Sequence, residues 1–230
     1  MTDAVVLSGS LGTTAAMWEP QLAALEARFR VLRIDHPGHG GAPLAPVRDV
    51  SDLVRLTLEQ VDAKRFSFVG LSLGGAVGLR IALDRPDRVE RLVLCCTAAR
   101  FGAEYRGRAA IVRAEGLEAL ADTVLERWFM PSFSDVQRYR AMFLSTDPEG
   151  YARCCEAVAA WDVRGRLAAL ALPTVCVAGE DDPVTPPAAL QELAAEIPDA
   201  RVVVLPRARH LANVERADDF NAALLASLSG

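Results

Sequence analysis

The stretch Phe66-Ser67-Phe68-Val69-Gly70-Leu71-Ser72-Leu73-Gly74-Gly75 decides how this chain is read. Residues 66–70 form a short apolar run with aromatic and β-branched side chains, which predicts a buried strand. Residues 73–84 then place apolar side chains at helical spacing. Between the two lies Gly70-x-Ser72-x-Gly74, a G-x-S-x-G at a strand-to-helix junction. Such a turn needs glycines where backbones approach closely, and it lifts a serine Oγ clear of the sheet edge as a nucleophile elbow. The plain alternative is an ordinary glycine-rich turn. A phosphate-binding loop does not fit, because no G-K-[ST] follows.

Working outward, apolar runs alternate with helical patterns. Strands are expected at 4–7, 30–34, 66–70, 89–95, 174–178 and 201–205. Helices are expected at 18–28, 50–62, 73–84, 187–197 and 215–228. This alternation predicts an α/β fold, a mostly parallel sheet with helices on both faces. The middle differs. Residues 100–166 show helical periodicity and no convincing strand, clearest at 117–128 and 150–161. Inserted in a βα series, they predict a helical cap over the C-terminal sheet edge, where open α/β sheets bind ligands. The expected organisation is a core of residues 1–99 and 167–230 with a cap of residues 100–166.

Composition narrows the function. With 230 residues and 51% hydrophobic side chains, the chain can bury a substantial core. A net charge of −5 with no basic stripe argues against nucleic acid as a partner. No apolar run reaches the roughly 18 residues of a membrane span, and the N-terminus lacks a secretory pattern. The five cysteines, Cys95, Cys96, Cys154, Cys155 and Cys176, are odd in number and lack C-x-x-C spacing. They read as buried thiols rather than a disulfide frame or zinc site, which suggests the cytoplasm.

A serine hydroxyl needs a base. In sheets built around this elbow the order along the chain is serine, acid, histidine. Of His36, His39 and His210, only His210 follows Ser72. The acid should end the strand at 174–178, where Gly179-Glu180-Asp181-Asp182-Pro183 offers three carboxylates. Asp182 is best placed to turn inward before Pro183, with Asp181 the runner-up. The oxyanion donors should be the backbone N–H of Leu73 and, in the loop Ser8-Gly9-Ser10-Leu11-Gly12, that of Leu11. His36 and His39, in Asp35-His36-Pro37-Gly38-His39-Gly40-Gly41, lack further metal ligands at suitable spacing and read as braces for the oxyanion turn.

These residues resemble the 3-oxoadipate enol-lactonases, members of the α/β-hydrolase superfamily. The matching segments, in order, are SLGTTAAMWEPQ (10–21), RIDHPGHG (33–40), FVGLSLGG (68–75), ERLVLCCTAA (90–99), RWFMPSF (127–133), GYARCC (150–155), LPTVCVAGEDDPVTPP (172–187) and HLANVE (210–215). The resemblance implies an α/β-hydrolase fold and hydrolysis of the enol-lactone through an acyl-enzyme, with Ser72, Asp182 and His210 as the triad. It implies no metal or organic cofactor. The substrate would be a small lactone bearing a carboxylate. Such a group wants an arginine fork, for which Arg127 and Arg138 in the cap are candidates, with Trp128 and Trp161 as apolar walls.

The chain also departs from the family. Family members usually carry a β-hairpin ahead of the first strand. Its absence would leave a bare sheet edge for a loop or a second copy to cover, so a homo-oligomer is one expected outcome. Gly9 stands where the family often has Asn, Pro37 where Arg commonly precedes G-H-G, and EAVAAWD follows Cys155 where relatives carry more charge. These changes touch the substrate pocket. Competing readings are a carboxylesterase or C–C bond hydrolase on the same scaffold, and a hydrolase-fold ligand-binding protein.

Overall fold

The computed structural model describes residues 3–229. Six strands form one parallel sheet: β1 (Ala4–Ser8), β2 (Arg30–Ile34), β3 (Phe66–Leu71), β4 (Val89–Cys95), β5 (Thr174–Gly179) and β6 (Ala200–Leu205), in the order β2-β1-β3-β4-β5-β6. The burial of each strand follows its place. Central β1, β3 and β5 are buried along their whole length, as a sheet covered on both faces requires. Edge strand β2 instead exposes Arg30 and Arg33, charges that discourage edge-to-edge pairing.

Flanking helices cover both faces. They are α1 (Glu19–Glu26), α2 (Val50–Glu59), α3 (Leu73–Asp84), α8 (Pro187–Ala195), α9 (Ala212–Glu215) and α10 (Ala217–Leu228). Helix α2 shows the logic of the sequence pattern. Asp49 caps it by accepting from Ser51 N–H at 2.7 Å, and Val50, Leu53, Val54 and Thr57 bury one face at helical spacing. Helix α3 follows the elbow and is buried almost throughout, so it forms the middle of the core.

Between β4 and β5 come α4 (Glu104–Glu115), α5 (Glu118–Trp128), α6 (Val136–Leu144) and α7 (Pro148–Ala159). They share an aromatic interior. Trp128 meets Phe143 edge-on at 5.9 Å, Phe143 meets Tyr151 at 5.4 Å, and Phe129 stacks on Phe133 at 4.3 Å. Helices α4 and α7 are also tied at the surface, where Arg113 bridges Glu149 and Glu156.

Two of the expected helices are divided in the structure. The pattern over 18–28 spans two elements: a short 3-10 turn at Ala15–Trp18, capped by Thr14, and then α1. Pro20 starts a new helix because it has no N–H to give the preceding turn. The pattern over 215–228 splits at Arg216, whose φ of −125° and ψ of 50° are not helical. Helix α4 had a weak signal because only Tyr105, Ala109 and Val112 of it are buried, a thin stripe among charges. All five cysteines are buried free thiols, as expected. No helix among the described residues is long and apolar enough to cross a membrane.

Candidate active site

Ser72 stands at the junction of β3 and α3 with φ 56° and ψ −110°, a strained conformation for a residue with a side chain. Its surroundings impose that shape. Ser72 N–H donates to Cys95 O at 2.9 Å, while Ser72 O accepts from Ala76 N–H at 3.1 Å and Thr97 Oγ1 at 2.8 Å. The two glycines of the motif allow the close approach. A Cβ at Gly70 would lie 2.2 Å from Gly74 O, and one at Gly74 would lie 2.1 Å from Ser8 O. The motif's spacing is therefore a packing requirement of the elbow.

The loop after β1 lies directly beside this turn. Gly74 N–H donates to Gly9 O at 3.0 Å. His36 Nε2–H donates to the same carbonyl at 3.0 Å, and Gly12 N–H donates to His39 Nε2 at 3.1 Å. Because Nε2 of His39 accepts, its Nδ1 carries the proton and donates to Pro37 O at 3.0 Å. Burial, then the neighbouring His36, pushes His39 down to about 3; burial likewise lowers His36. Both rings are neutral braces, the role expected of them. Meanwhile the backbone N–H groups of Leu11 and Leu73 have no hydrogen-bond acceptor among the described residues. Leu11 borders the same cavity as Ser72.

His210 sits past β6 in a loop that β5 and α5 hold. Asp181 N–H donates to Ala208 O at 2.9 Å and Leu211 N–H to Trp128 O at 3.1 Å. Glu215 accepts from Met130 N–H and from Arg209 N–H, each at 2.6 Å, and so ties the end of α5 to the histidine loop. Burial raises the Glu215 carboxyl above its ordinary value. His210 Nδ1–H donates to Asp182 Oδ2 at 2.8 Å, leaving Nε2 as the free basic nitrogen. Asp182 also accepts from Thr185 Oγ1 at 2.7 Å, Val184 N–H at 2.8 Å and Thr185 N–H at 3.2 Å. Burial works to raise the Asp182 carboxyl. The neighbouring His210 imidazole and these hydrogen bonds outweigh it and hold the group below the usual carboxylate range. Asp181, the other candidate, is exposed.

Ser72 and His210 open into one small cavity, and the Ser72 hydroxyl has no hydrogen-bond partner among the described residues. The far wall comes from the inserted helices: Tyr105 and Arg108 on α4, Arg127 and Trp128 on α5, and Tyr151 on α7. Of the residues expected on that wall, Arg127 and Trp128 are there. Arg138 is not: it is exposed and pairs with Glu19 across the surface. Nor does Trp161 form a wall, because it is buried beneath, its indole N–H donating to Ala98 O at 3.0 Å. Sequence reasoning missed Arg108, Tyr105 and Tyr151. The available signal was the i,i+3 spacing of Tyr105 and Arg108, which sets them side by side on one helix.

Among the described residues one cluster has metal-ligand chemistry: Cys96, Asp182 and His210, with donor atoms within 4.8 Å of one another. It is a poor cation site. The acid and imidazole already engage each other, and burial, reinforced by Asp182, pushes the Cys96 thiol well above its ordinary range.

The sequence profile of the alpha/beta hydrolase family matches residues 4–223. The chain belongs to the α/β-hydrolase family. Among its relatives, 3-oxoadipate enol-lactonase 2 of Acinetobacter baylyi is 35% identical over 233 residues, covering 96% of this chain and 86% of that protein. The crystal structure of the enol-lactonase from Burkholderia xenovorans LB400 is 40% identical with a TM-score of 0.95, covering 100% of this chain and 92% of that one. A thermophilic esterase from Thermogutta terrifontis is 30% identical with a TM-score of 0.89, covering 98% of this chain and 89% of that one. The protein is accordingly a hydrolase. Chemically, this α/β-hydrolase site offers a hydroxyl on a rigid turn, a buried imidazole–carboxylate pair, two unengaged amides and a cationic far wall.

Proposed function

We propose that the protein hydrolyses 3-oxoadipate enol-lactone to 3-oxoadipate through an acyl-enzyme on Ser72. The observation that carries this reading is the single cavity in which Ser72 and His210, with Asp182 behind it, face arginines from the inserted helices. The similarity to two enol-lactonases over nearly the whole chain supports it.

Ser72 Oγ attacks the lactone carbonyl while His210 Nε2 takes its proton, the hydrogen bond between them closing in the substrate complex. Asp182 keeps the imidazole in the tautomer with Nδ1–H and stabilises the imidazolium. The Leu11 and Leu73 amides receive the oxyanion that forms. Collapse breaks the ring C–O bond. The enolate leaves with the electron pair, takes up the proton that His210 Nε2 holds and becomes the ketone, which leaves His210 neutral. His210 then draws a proton from water, whose oxygen attacks the acyl carbonyl and frees Ser72 and the second carboxylate. Arg127 and Trp128 contact the remainder of the substrate.

Carboxylesterase activity is the second reading, favoured by the likeness to the Thermogutta esterase. Steady-state kinetics on the enol-lactone and on phenyl acetate separate the two. A kcat/KM for the lactone well above that for the neutral ester supports the lactonase. A preference for phenyl acetate, with slow lactone turnover, replaces it with the esterase.

A further inference from the structure

Glu215 is a half-buried carboxylate that makes no ion pair among the described residues. Both of its oxygens engage backbone instead. Oε1 accepts from Met130 N–H and Oε2 from Arg209 N–H, each at 2.6 Å, and neither amide has another acceptor among the described residues. Short bonds to an ionised acceptor are the strong kind. Arg209 directly precedes His210, and Met130 lies two residues past Trp128 on the cavity wall. Between these two points the chain segments run side by side. His210 N–H donates to Arg127 O at 3.4 Å, Leu211 N–H to Trp128 O at 3.1 Å, and the Arg209 guanidinium to the carbonyls of Glu126 and Phe129. The end of α5 thus supplies carbonyls, as a helix C-terminus must. The amides of Arg209 and Met130 need an acceptor from elsewhere, and one carboxylate serves both. Glutamine presents one oxygen and one NH2, so one of the two amides would face a donor. Aspartate is a methylene shorter.

We propose that Glu215 is a positioning residue for catalysis: by joining the amide before His210 to the amide after the α5 wall, it holds the imidazole where Nε2 reaches Ser72 Oγ. The proposal rests on the reading of Ser72 and His210 as nucleophile and base, and it is independent of which ester is the substrate. Asp182 fixes the ring's rotation and tautomer through Nδ1, whereas Glu215 fixes the backbone that carries the ring. Both constraints matter, because a catalytic group displaced by about 1 Å can cost on the order of 100-fold in rate. Glu215 does not line the cavity, so its loss acts on turnover through His210.

The test uses the whole protein and 4-nitrophenyl acetate, with intact sites counted by stoichiometric labelling of Ser72 with a fluorophosphonate. Glu215→Gln should lower kcat per labelled site by about 10- to 100-fold and kcat/KM by the same factor, the mark of a loss in the transition state. Glu215→Asp, which keeps the charge and shortens the reach, should fall between it and wild type. If the glutamine variant yields no labelled protein, the aspartate variant carries the same comparison. Glu180→Gln is the control: Glu180 also accepts an amide of this loop, from Arg207 at 3.2 Å, but is exposed, and kcat should stay within about twofold. In a His210→Ala background, Glu215→Gln should change the residual rate by less than about twofold, because the residue it acts through is gone. Fewer labelled sites with wild-type kcat per site would make Glu215 a brace of stability alone and overturn the proposal. So would a loss in the His210→Ala background equal to that in wild type. A wild type that neither takes the label nor cleaves the ester would overturn the hydrolase reading and this proposal with it. A wild type that does both, beside a Glu215→Gln that keeps its kcat, would overturn the proposal alone.

Discussion

Lowering the pH should destabilise the fold through His39, whose buried ring refuses the proton that the unfolded chain takes up. His39 is fully buried, accepts from Gly12 N–H through Nε2 and donates to Pro37 O through Nδ1. Its folded value lies near 3 against an ordinary 6.5, with burial the main cause and His36 the second. The sign follows from proton counting. Between those two values the unfolded chain binds a proton that the folded ring refuses, so stability is complete above about pH 6.5 and falls as pH drops toward 3. At pH 5 the folded ring is still neutral, so the unfolded value alone sets the loss. It amounts to about 2 kcal/mol relative to pH 8. The assay is urea denaturation of wild type and His39→Gln at pH 8 and pH 5. Glutamine can accept from Gly12 and donate to Pro37 without titrating. Wild type should lose about 2 kcal/mol more than the variant between the two pH values. Equal losses would refute the claim that His39 is a buried neutral brace.

Three further substitutions test the site's assignments. Asp182→Asn should lower kcat on the order of 10,000-fold by leaving His210 in the wrong tautomer, whereas Asp181→Asn, on an exposed carboxylate, should change it by less than about threefold; steady-state kinetics compares them. Arg138→Met should leave KM for the enol-lactone unchanged and cost no more than about 1 kcal/mol in a denaturant melt, because Arg138 holds only a surface pair with Glu19.

What could be read from residues alone depended on how local the cause was. The elbow was legible because Gly70 and Gly74 are dictated by backbone clearances within a few residues of Ser72. The sheet was legible because β1, β3 and β5 are buried on both faces, which leaves continuous apolar runs. Asp182 was reachable through strand ends and the chain order of the elbow. The substrate wall was not, because it is set by how α4, α5 and α7 close over the sheet. Arg127 and Arg138 each sit on a cap helix, and only the packing sends one to the cavity and the other to Glu19. Arg108 stayed hidden among the charges of α4, whose apolar stripe is three residues wide. Trp161 looked like a wall residue because large aromatics line pockets, yet its indole N–H is satisfied by Ala98 O.

The central claim is that Ser72 opens the enol-lactone. The most direct measurement is the loss of ultraviolet absorbance of freshly generated 3-oxoadipate enol-lactone, with wild type beside Ser72→Ala. Rapid loss with wild type, slowed on the order of a million-fold in the variant, is the expected result. Equal rates for both proteins, or no turnover by wild type above the uncatalysed rate, would contradict it.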